Sequence, residues 1–278
     1  MFRTILIAGL SLPVKPLLAL AALYAGLWLA ARLARSRGVD GDHLWNLGFV
    51  SAIAALIGGR LAYVVQFWSA YRQDLLAILS PRPDALAWAP GLLIGLLVGW
   101  LYLRRLRLPP APVLDALAPG ALLGLTILSL ADFLAGDAYG APTSLPWAVE
   151  MWGAARHPVQ LYQMGAQLAA LFLLLRRPIA RPGQRAWLAL FLYALSRLLF
   201  DAFRGDSLIL AGGFRAEQIT ALAVALLAFR SAATARAPVG QASWPDDVAR
   251  EKSALRRRTS SRRRRDRRIR ELQLGNYS

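Results

Sequence analysis

The sequence predicts an all-α, multi-pass membrane protein of seven transmembrane helices, with its N-terminus outside and its C-terminus in the cytoplasm. Three observations predict it. The 278 residues are 56% hydrophobic and only 18% charged, whereas a soluble domain carries about 25% charged residues. The mean hydropathy is +0.41, and the apolar residues fall in long runs. The 33 Lys+Arg outnumber the 16 Asp+Glu, and they collect in every second connection between those runs.

A spanning helix needs roughly 20 mostly apolar residues. Cut wherever Arg, Pro or Gly clusters interrupt them, the runs give seven segments, near 14–33, 44–68, 86–103, 112–134, 158–176, 185–203 and 208–229. The stretch from Met1 to Pro13 has the arginine and short apolar run of a signal peptide. Pro13, Lys15 and Pro16 break its core, and apolar residues continue past any small-residue cleavage site. It reads as an uncleaved lead-in lying at the interface.

Orientation follows from the retention of Lys and Arg in cytoplasmic loops. Arg32, Arg35 and Arg37 follow the first segment and Arg104, Arg105 and Arg107 the third. Arg176, Arg177, Arg181 and Arg185 follow the fifth, and Arg230 and the tail follow the seventh, which puts 24 basic residues on one side. The other side holds seven: Arg3, Lys15, Arg72, Arg82, Arg156, Arg204 and Arg215. An odd number of spans fits this alternation.

Residues 1–230 form the predicted membrane domain, and residues 231–278 a polybasic, disordered cytoplasmic tail. The tail holds 13 Lys+Arg against five Asp+Glu, including Arg256-Arg257-Arg258 and Arg262-Arg263-Arg264-Arg265. Such a segment is too polar to build a core and too self-repelling to collapse. Just inside a membrane it binds anionic lipid headgroups. RNA is the alternative partner, but no aromatic interleaving or RNA-binding module accompanies the arginines, so no specific nucleic acid is expected.

The absence of cysteine excludes a disulfide framework, a thiol nucleophile and Cys-ligated metal. With only His43 and His157, no metal or cofactor site is expected. A heptahelical photoreceptor needs a Schiff-base lysine in its last helix, and the only lysines are Lys15 and Lys252. A transporter is disfavoured by the lack of an inverted repeat and by charges that lie at one face rather than the midplane.

An ionised side chain at membrane depth costs several kcal/mol unless paired or hydrated, so chemistry is sought where charge appears there. Arg60, in Gly58-Gly59-Arg60-Leu61-Ala62-Tyr63, either snorkels to the headgroups or serves the site. Asp115 reads as a structural charge at the N-terminus of the fourth span. The external connection after that span is the longest, about 23 residues, and holds Asp132, Asp137, Glu150 and His157; loops of that length are usually functional. Near the outer end of the sixth span, Arg197 and Asp201 are four apart and share a helical face with Arg204. Two arginines beside an acidic loop suit an anionic headgroup.

These residues carry a resemblance. Gly59-Arg60-Leu61-Ala62-Tyr63, Asp115-Ala116-Leu117-Ala118-Pro119, Phe133 through Gly140 with Pro142-Thr143, Leu145-Pro146-Trp147, His157-Pro158-Val159-Gln160-Leu161-Tyr162, Tyr193 through Arg204 and Glu217-Gln218 stand in the order found in bacterial prolipoprotein diacylglyceryl transferases. The resemblance covers roughly residues 14 to 230. Its most specific parts are the His157–Tyr162 block and the spacing of Arg197, Asp201 and Arg204.

The resemblance implies an enzyme of the bacterial cytoplasmic membrane. It would transfer diacylglyceryl from phosphatidylglycerol, or another anionic phospholipid, to the lipobox cysteine at the end of a lipoprotein precursor's signal peptide. It implies Arg197, Asp137, Asp201 and His157 as catalytic residues, and Arg60, Ser129, Asp132, Gly140, Tyr162 and Arg204 as headgroup-binding residues. Arg197 resembles the family's essential sixth-helix arginine, and Asp201 replaces its usual glutamate. Asp137 stands where the signature has glutamate and Asp132 where it has asparagine; Gly140 matches its closing glycine. The chain departs from the family at three polar positions. Ser129 occupies the place of the arginine thought to hold the lipid phosphate. The third-helix His-Gly-Gly pattern reads Pro90-Gly91-Leu92, and the first-helix tyrosine has no counterpart near Lys15-Pro16. Two expectations follow: a divergent transferase in which Arg60, Arg197 and Arg204 share the phosphate and His157 or Asp137 is the base, or a non-catalytic relative that binds phospholipid or precursor.

Overall fold

The computed structural model describes residues 4–7, 10–80, 85–177, 181–210 and 215–234. Of the expected tail only Ser231 to Thr234 fall within them, and these continue the last helix.

Among the described residues seven long helices coincide with the seven apolar segments: α1 (Val14–Ala34), α2 (Gly41–Gln66), α4 (Trp88–Arg105), α5 (Pro110–Ala135), α6 (Val159–Arg176), α7 (Gln184–Phe200) and α8 (Ala216–Thr234). A single turn, α3 (Trp68–Tyr71), follows α2. Among the described residues, five helices are long and apolar enough to cross a membrane, namely α1, α2, α5, α8 and α7 together with its continuation to Phe203. The other two are shorter or more polar for visible reasons: α4 ends on Arg104 and Arg105, and α6 buries Gln160, Gln163 and Gln167.

The helices meet through small residues. Ala22, Gly26, Ala30 and Ala34 recur every fourth position along the buried face of α1. Gly26 faces Gly120 of α5 so closely that an added Cβ would lie 2.8 Å from the Gly120 carbonyl oxygen. Gly91, Gly95 and Gly99 of α4 repeat the pattern against Ser51, Ala55 and Gly59 of α2. Between helices in lipid there is little hydrophobic driving force, so close backbone approach of this kind supplies the packing. The large apolar side chains point outward instead, as at Val65 and Leu93, which are 74% and 68% exposed. In water such a surface would be an aggregation hazard; against acyl chains it is the expected one.

Two apolar clusters fill the interior. One joins α1, α2, α4 and α5 around Leu44, Leu47, Leu103 and Val113. The other joins α5, α6 and α7 around Leu122, Leu171 and Leu174. Beside it lies Asp115, fully buried, which does not cap its own helix. Its carboxylate accepts from the backbone N–H groups of Gly183 and Ala186, at 2.7 and 2.9 Å, and so closes the N-terminus of α7. The carboxylate satisfies two of the donors a helix start leaves open, at the positive end of that helix's dipole. The structural role expected for Asp115 holds, on a different helix.

Some details depart from the apolar pattern. The lead-in is a hairpin, β1 (Thr4–Ile7) paired antiparallel with β2 (Leu10–Pro13). α7 stops at Phe200, tightens into a 3-10 turn over Asp201–Phe203, and leaves Arg204 in extended backbone. Arg204 therefore does not share a helical face with Arg197. The last helix starts at Ala216 rather than near 208: Ile209 and Arg215 form an antiparallel bridge, and Ala216 N–H donates to Leu208 O at 3.1 Å.

Candidate functional site

The site lies where α5 and α7 end and α1, α6 and α8 begin. Gly136 terminates α5 in the left-handed conformation, with φ of 79°, and turns the chain into Asp137-Ala138-Tyr139-Gly140. Residues 139–143 then run between two other segments. On one side Ala141 N–H donates to Phe203 O and Gly205 N–H to Tyr139 O, at 2.7 and 2.9 Å. On the other His157 N–H donates to Ala141 O and Thr143 N–H to Ala155 O, at 3.1 and 2.9 Å. Residues 154–156 are β4, paired with β3 (Val149–Met151) through a tight turn at Trp152 and Gly153, both with positive φ. Gly140 sits at the crossing, where a Cβ would fall on the backbone carbonyl of His157. Only glycine fits there, which gives a packing reason for the residue expected at the site.

Beside this layer is a polar cleft of about 460 Å3, lined by Lys15, Asp132, Gly136, Asp137, Ala138, Tyr139, Trp152, Arg204 and Asp206. The Lys15 ammonium, in the first turn of α1, lies 2.8 Å from Asp132 and 2.6 Å from Asp137. The Arg204 guanidinium donates to both carboxylate oxygens of Asp206, at 2.9 and 2.7 Å. Burial works against the Arg204 charge, but the carboxylates of Asp206, Asp201 and Glu217 together raise the guanidinium's pKa. Asp137 is fixed from behind by Gln160, which donates to its backbone carbonyl at 2.7 Å. Trp152 closes the wall by donating to Gly136 O at 2.9 Å.

A second, apolar groove of about 300 Å3 is lined by Leu145, Trp147, His157, Tyr162, Phe200 and Phe203. The His157 ring stacks at a tilt against Phe203, with centroids 5.0 Å apart. Its Nδ1 is 3.4 Å from the Tyr162 hydroxyl, which also accepts from the Trp147 indole N–H at 2.7 Å.

A polar cluster forms around the buried Asp201. Asp201 is fully buried, paired to Arg197 Nε at 2.8 Å and accepting from Gln163 Nε2 at 2.9 Å. The i,i+4 pairing expected of Arg197 and Asp201 is present. Arg215 donates to the backbone carbonyls of Arg204 and Asp201 and ties the start of α8 to the end of α7. Ser129 is buried in α5 and donates to Gln167 Oε1 at 3.1 Å.

Of the ten residues expected at the site, Asp132, Asp137 and Arg204 line the cleft, His157 and Tyr162 line the groove, and Gly140 packs against the His157 backbone. Asp201 and Ser129 are buried, and Arg197 is partly exposed beside Asp201. Arg60 is placed elsewhere: its guanidinium donates to the carbonyls of Ile78, Ala85 and Ala77, at 3.1, 3.0 and 2.8 Å. It clamps the connection between α2 and α4, a role neither the snorkelling nor the headgroup expectation anticipated. Sequence reasoning passed over Lys15 and the glutamines of α6. The signal for the latter was present, since Gln160, Gln163 and Gln167 fall on one face of an otherwise apolar helix.

A sequence model of the family described as prolipoprotein diacylglyceryl transferase matches residues 5–233. A protein of Thermosynechococcus vestitus named phosphatidylglycerol–prolipoprotein diacylglyceryl transferase is 31% identical over 225 residues, covering 76% of this chain and 84% of its own length. One of the same name from Gloeobacter violaceus is 32% identical over 232 residues, covering 78% and 86%. Another from Geobacter sulfurreducens is 32% identical over 218 residues, covering 73% and 83%.

Proposed function

The chain belongs to the prolipoprotein diacylglyceryl transferase family, and from that membership we propose that it transfers the diacylglyceryl group of phosphatidylglycerol to a cysteine thiol of a prolipoprotein. One observation carries the reading to the site: Phe203 lines the apolar groove while the adjacent Arg204 lines the charged cleft. The two compartments share a wall, which suits a substrate with a charged headgroup and an apolar body.

The chemistry sets what the residues must do. A bond forms from the cysteine sulfur to the glyceryl carbon, and the bond from that carbon to the phosphate oxygen breaks. The electron pair leaves with glycerol phosphate, and the thiol proton goes to a base. Charge developing on the leaving phosphate calls for cations in a site with little water. Thiolate formation calls for a base or a positive field. Arg204 supplies positive charge in the cleft that Asp132 and Asp137 also line, and Asp137 is the base on that side. His157, held in the groove by Tyr162 and Phe203, is the alternative base. Arg197 acts by holding Asp201 and with it the end of α7 that presents Phe203 and Arg204.

The same reading places all seven long helices across a bacterial cytoplasmic membrane, with the cleft on the external side. The arginines of the short connections at the opposite end support that orientation. The lipobox cysteine of the precursor's signal peptide would enter at the external face. Residues 231–278 are proposed to lie on the cytoplasmic leaflet, bound through their arginines to anionic headgroups.

A second reading, a non-catalytic member that binds phospholipid or precursor, is favoured by Ser129, which is buried against Gln167 where the family pattern has arginine. Expression in a bacterium depleted of its own transferase separates the two. Restored modification of a reporter lipoprotein supports the enzyme; none, with the protein present in the membrane, supports the binder.

A further inference from the structure

Among the described residues the charged cleft holds two cations, Lys15 and Arg204, against three carboxylates, Asp132, Asp137 and Asp206, a formal charge of minus one. An added phosphate would be repelled unless a carboxylate gives way. Which cation can change partners is decided by geometry. Arg204 offers a rigid fork already engaged by both oxygens of Asp206. Lys15 carries three donors on a flexible stem and bridges two carboxylates. Its side chain is 44% exposed, and of its partners Asp137 is the more open, at 49% against 30% for Asp132.

We propose that Lys15 receives the headgroup phosphate in this chain, exchanging the Asp137 carboxylate for a phosphodiester oxygen while keeping Asp132. The inference deepens the transferase reading and rests on it for the identity of the lipid. Asp137, once released, accepts from a headgroup hydroxyl or takes the thiol proton, so the arrival of the donor lipid frees the base. Lys15 thereby places a positive charge in a site where Ser129 supplies none and Arg60 is held by the connection between α2 and α4. The ligand is a phosphodiester or phosphomonoester bearing vicinal hydroxyls, carried by a lipid or free in solution.

The test uses the full chain in phosphatidylcholine nanodiscs with and without phosphatidylglycerol, and separately with sn-glycerol 1-phosphate in solution. Binding is read from the shift in melting temperature, and KM and kcat from transfer to a lipobox peptide. Lys15→Gln is expected to weaken phosphatidylglycerol binding about tenfold, the weight of one hydrogen bond to a charged group, and to raise KM by the same factor. Lys15→Arg is expected to restore both. Asp137→Asn is expected to tighten binding, because a competitor for the lysine is removed, while kcat falls; a merely structural ion pair would weaken in both variants. Dependence on Lys15 in the nanodisc arm alone assigns the site to the lipid, and in both arms to the phosphate itself. No dependence in either arm, or weaker binding in Asp137→Asn, overturns the proposal. If Lys15→Gln loses its melting transition, the Asp137→Asn result decides. A wild-type protein that binds phosphatidylglycerol through Lys15 but transfers nothing would remove the transferase reading and leave this one standing.

Discussion

Arg197 Nε lies 2.8 Å from the Oδ2 of Asp201, a carboxylate with no exposed surface. Taking one partner away strands a buried charge, which costs about 3–5 kcal/mol. Arg197→Ala is therefore expected to lower the melting temperature sharply, and Arg197→Ala/Asp201→Asn to recover much of the loss. Thermal unfolding in detergent checks this. A double variant no more stable than the single would mean that the pair does not hold the end of α7.

Asp115 joins α5 to α7 by capping a helix that is not its own. Asp115→Ala leaves the N–H groups of Gly183 and Ala186 without that acceptor, at a cost of about 0.5–2 kcal/mol for the cap. Asp115→Asn, which keeps a side-chain acceptor, is expected to lose less. Chemical denaturation of the three proteins in one detergent ranks them.

Gly140 packs against the backbone of His157 with no room for a methyl group. Gly140→Ala must push residues 139–143 away from residues 155–157, an overpacking that costs about 1–3 kcal/mol. Because the displaced backbone carries Tyr139 of the cleft and abuts His157 of the groove, transfer activity is expected to fall by more than the loss of stability explains. Activity measured well below the variant's melting temperature reads this out.

Arg60 holds three carbonyls of the connection after α2. Arg60→Ala is expected to speed amide exchange across residues 75–80 and to leave the KM for phosphatidylglycerol close to that of the wild type. Hydrogen exchange followed by mass spectrometry measures the first, and transfer kinetics the second. A rise in KM without faster exchange would return Arg60 to the headgroup.

The helices were legible because their signal is local and repeated. Apolar runs broken by arginine and proline placed all seven long helices within a few residues, except α8, whose first apolar residues, Leu208 to Leu210, are drawn into extended backbone. The i,i+4 pair of Arg197 and Asp201 was legible from helical geometry alone. The same geometry misplaced Arg204, because a helix pattern does not say where the helix stops. Lys15 was passed over because its partners lie more than a hundred residues away and meet it only once α1 packs on α5 through Gly26 and Gly120. Arg60 was assigned to lipid or headgroup because no sequence rule indicates that a loop will fold back to offer it three carbonyls. Asp115 read as a cap on the nearest helix, since the start of α7 comes near it only in three dimensions.

The most direct test of the account is transfer by the purified full chain in phosphatidylglycerol nanodiscs to a peptide with a lipobox cysteine. The product is read by mass and the released glycerol phosphate is counted. The account predicts a thioether-linked diacylglyceryl adduct and one glycerol phosphate for each peptide modified, with none when the cysteine is replaced by serine. An unmodified peptide beside intact phosphatidylglycerol binding would contradict it and leave a phospholipid-binding member of the family.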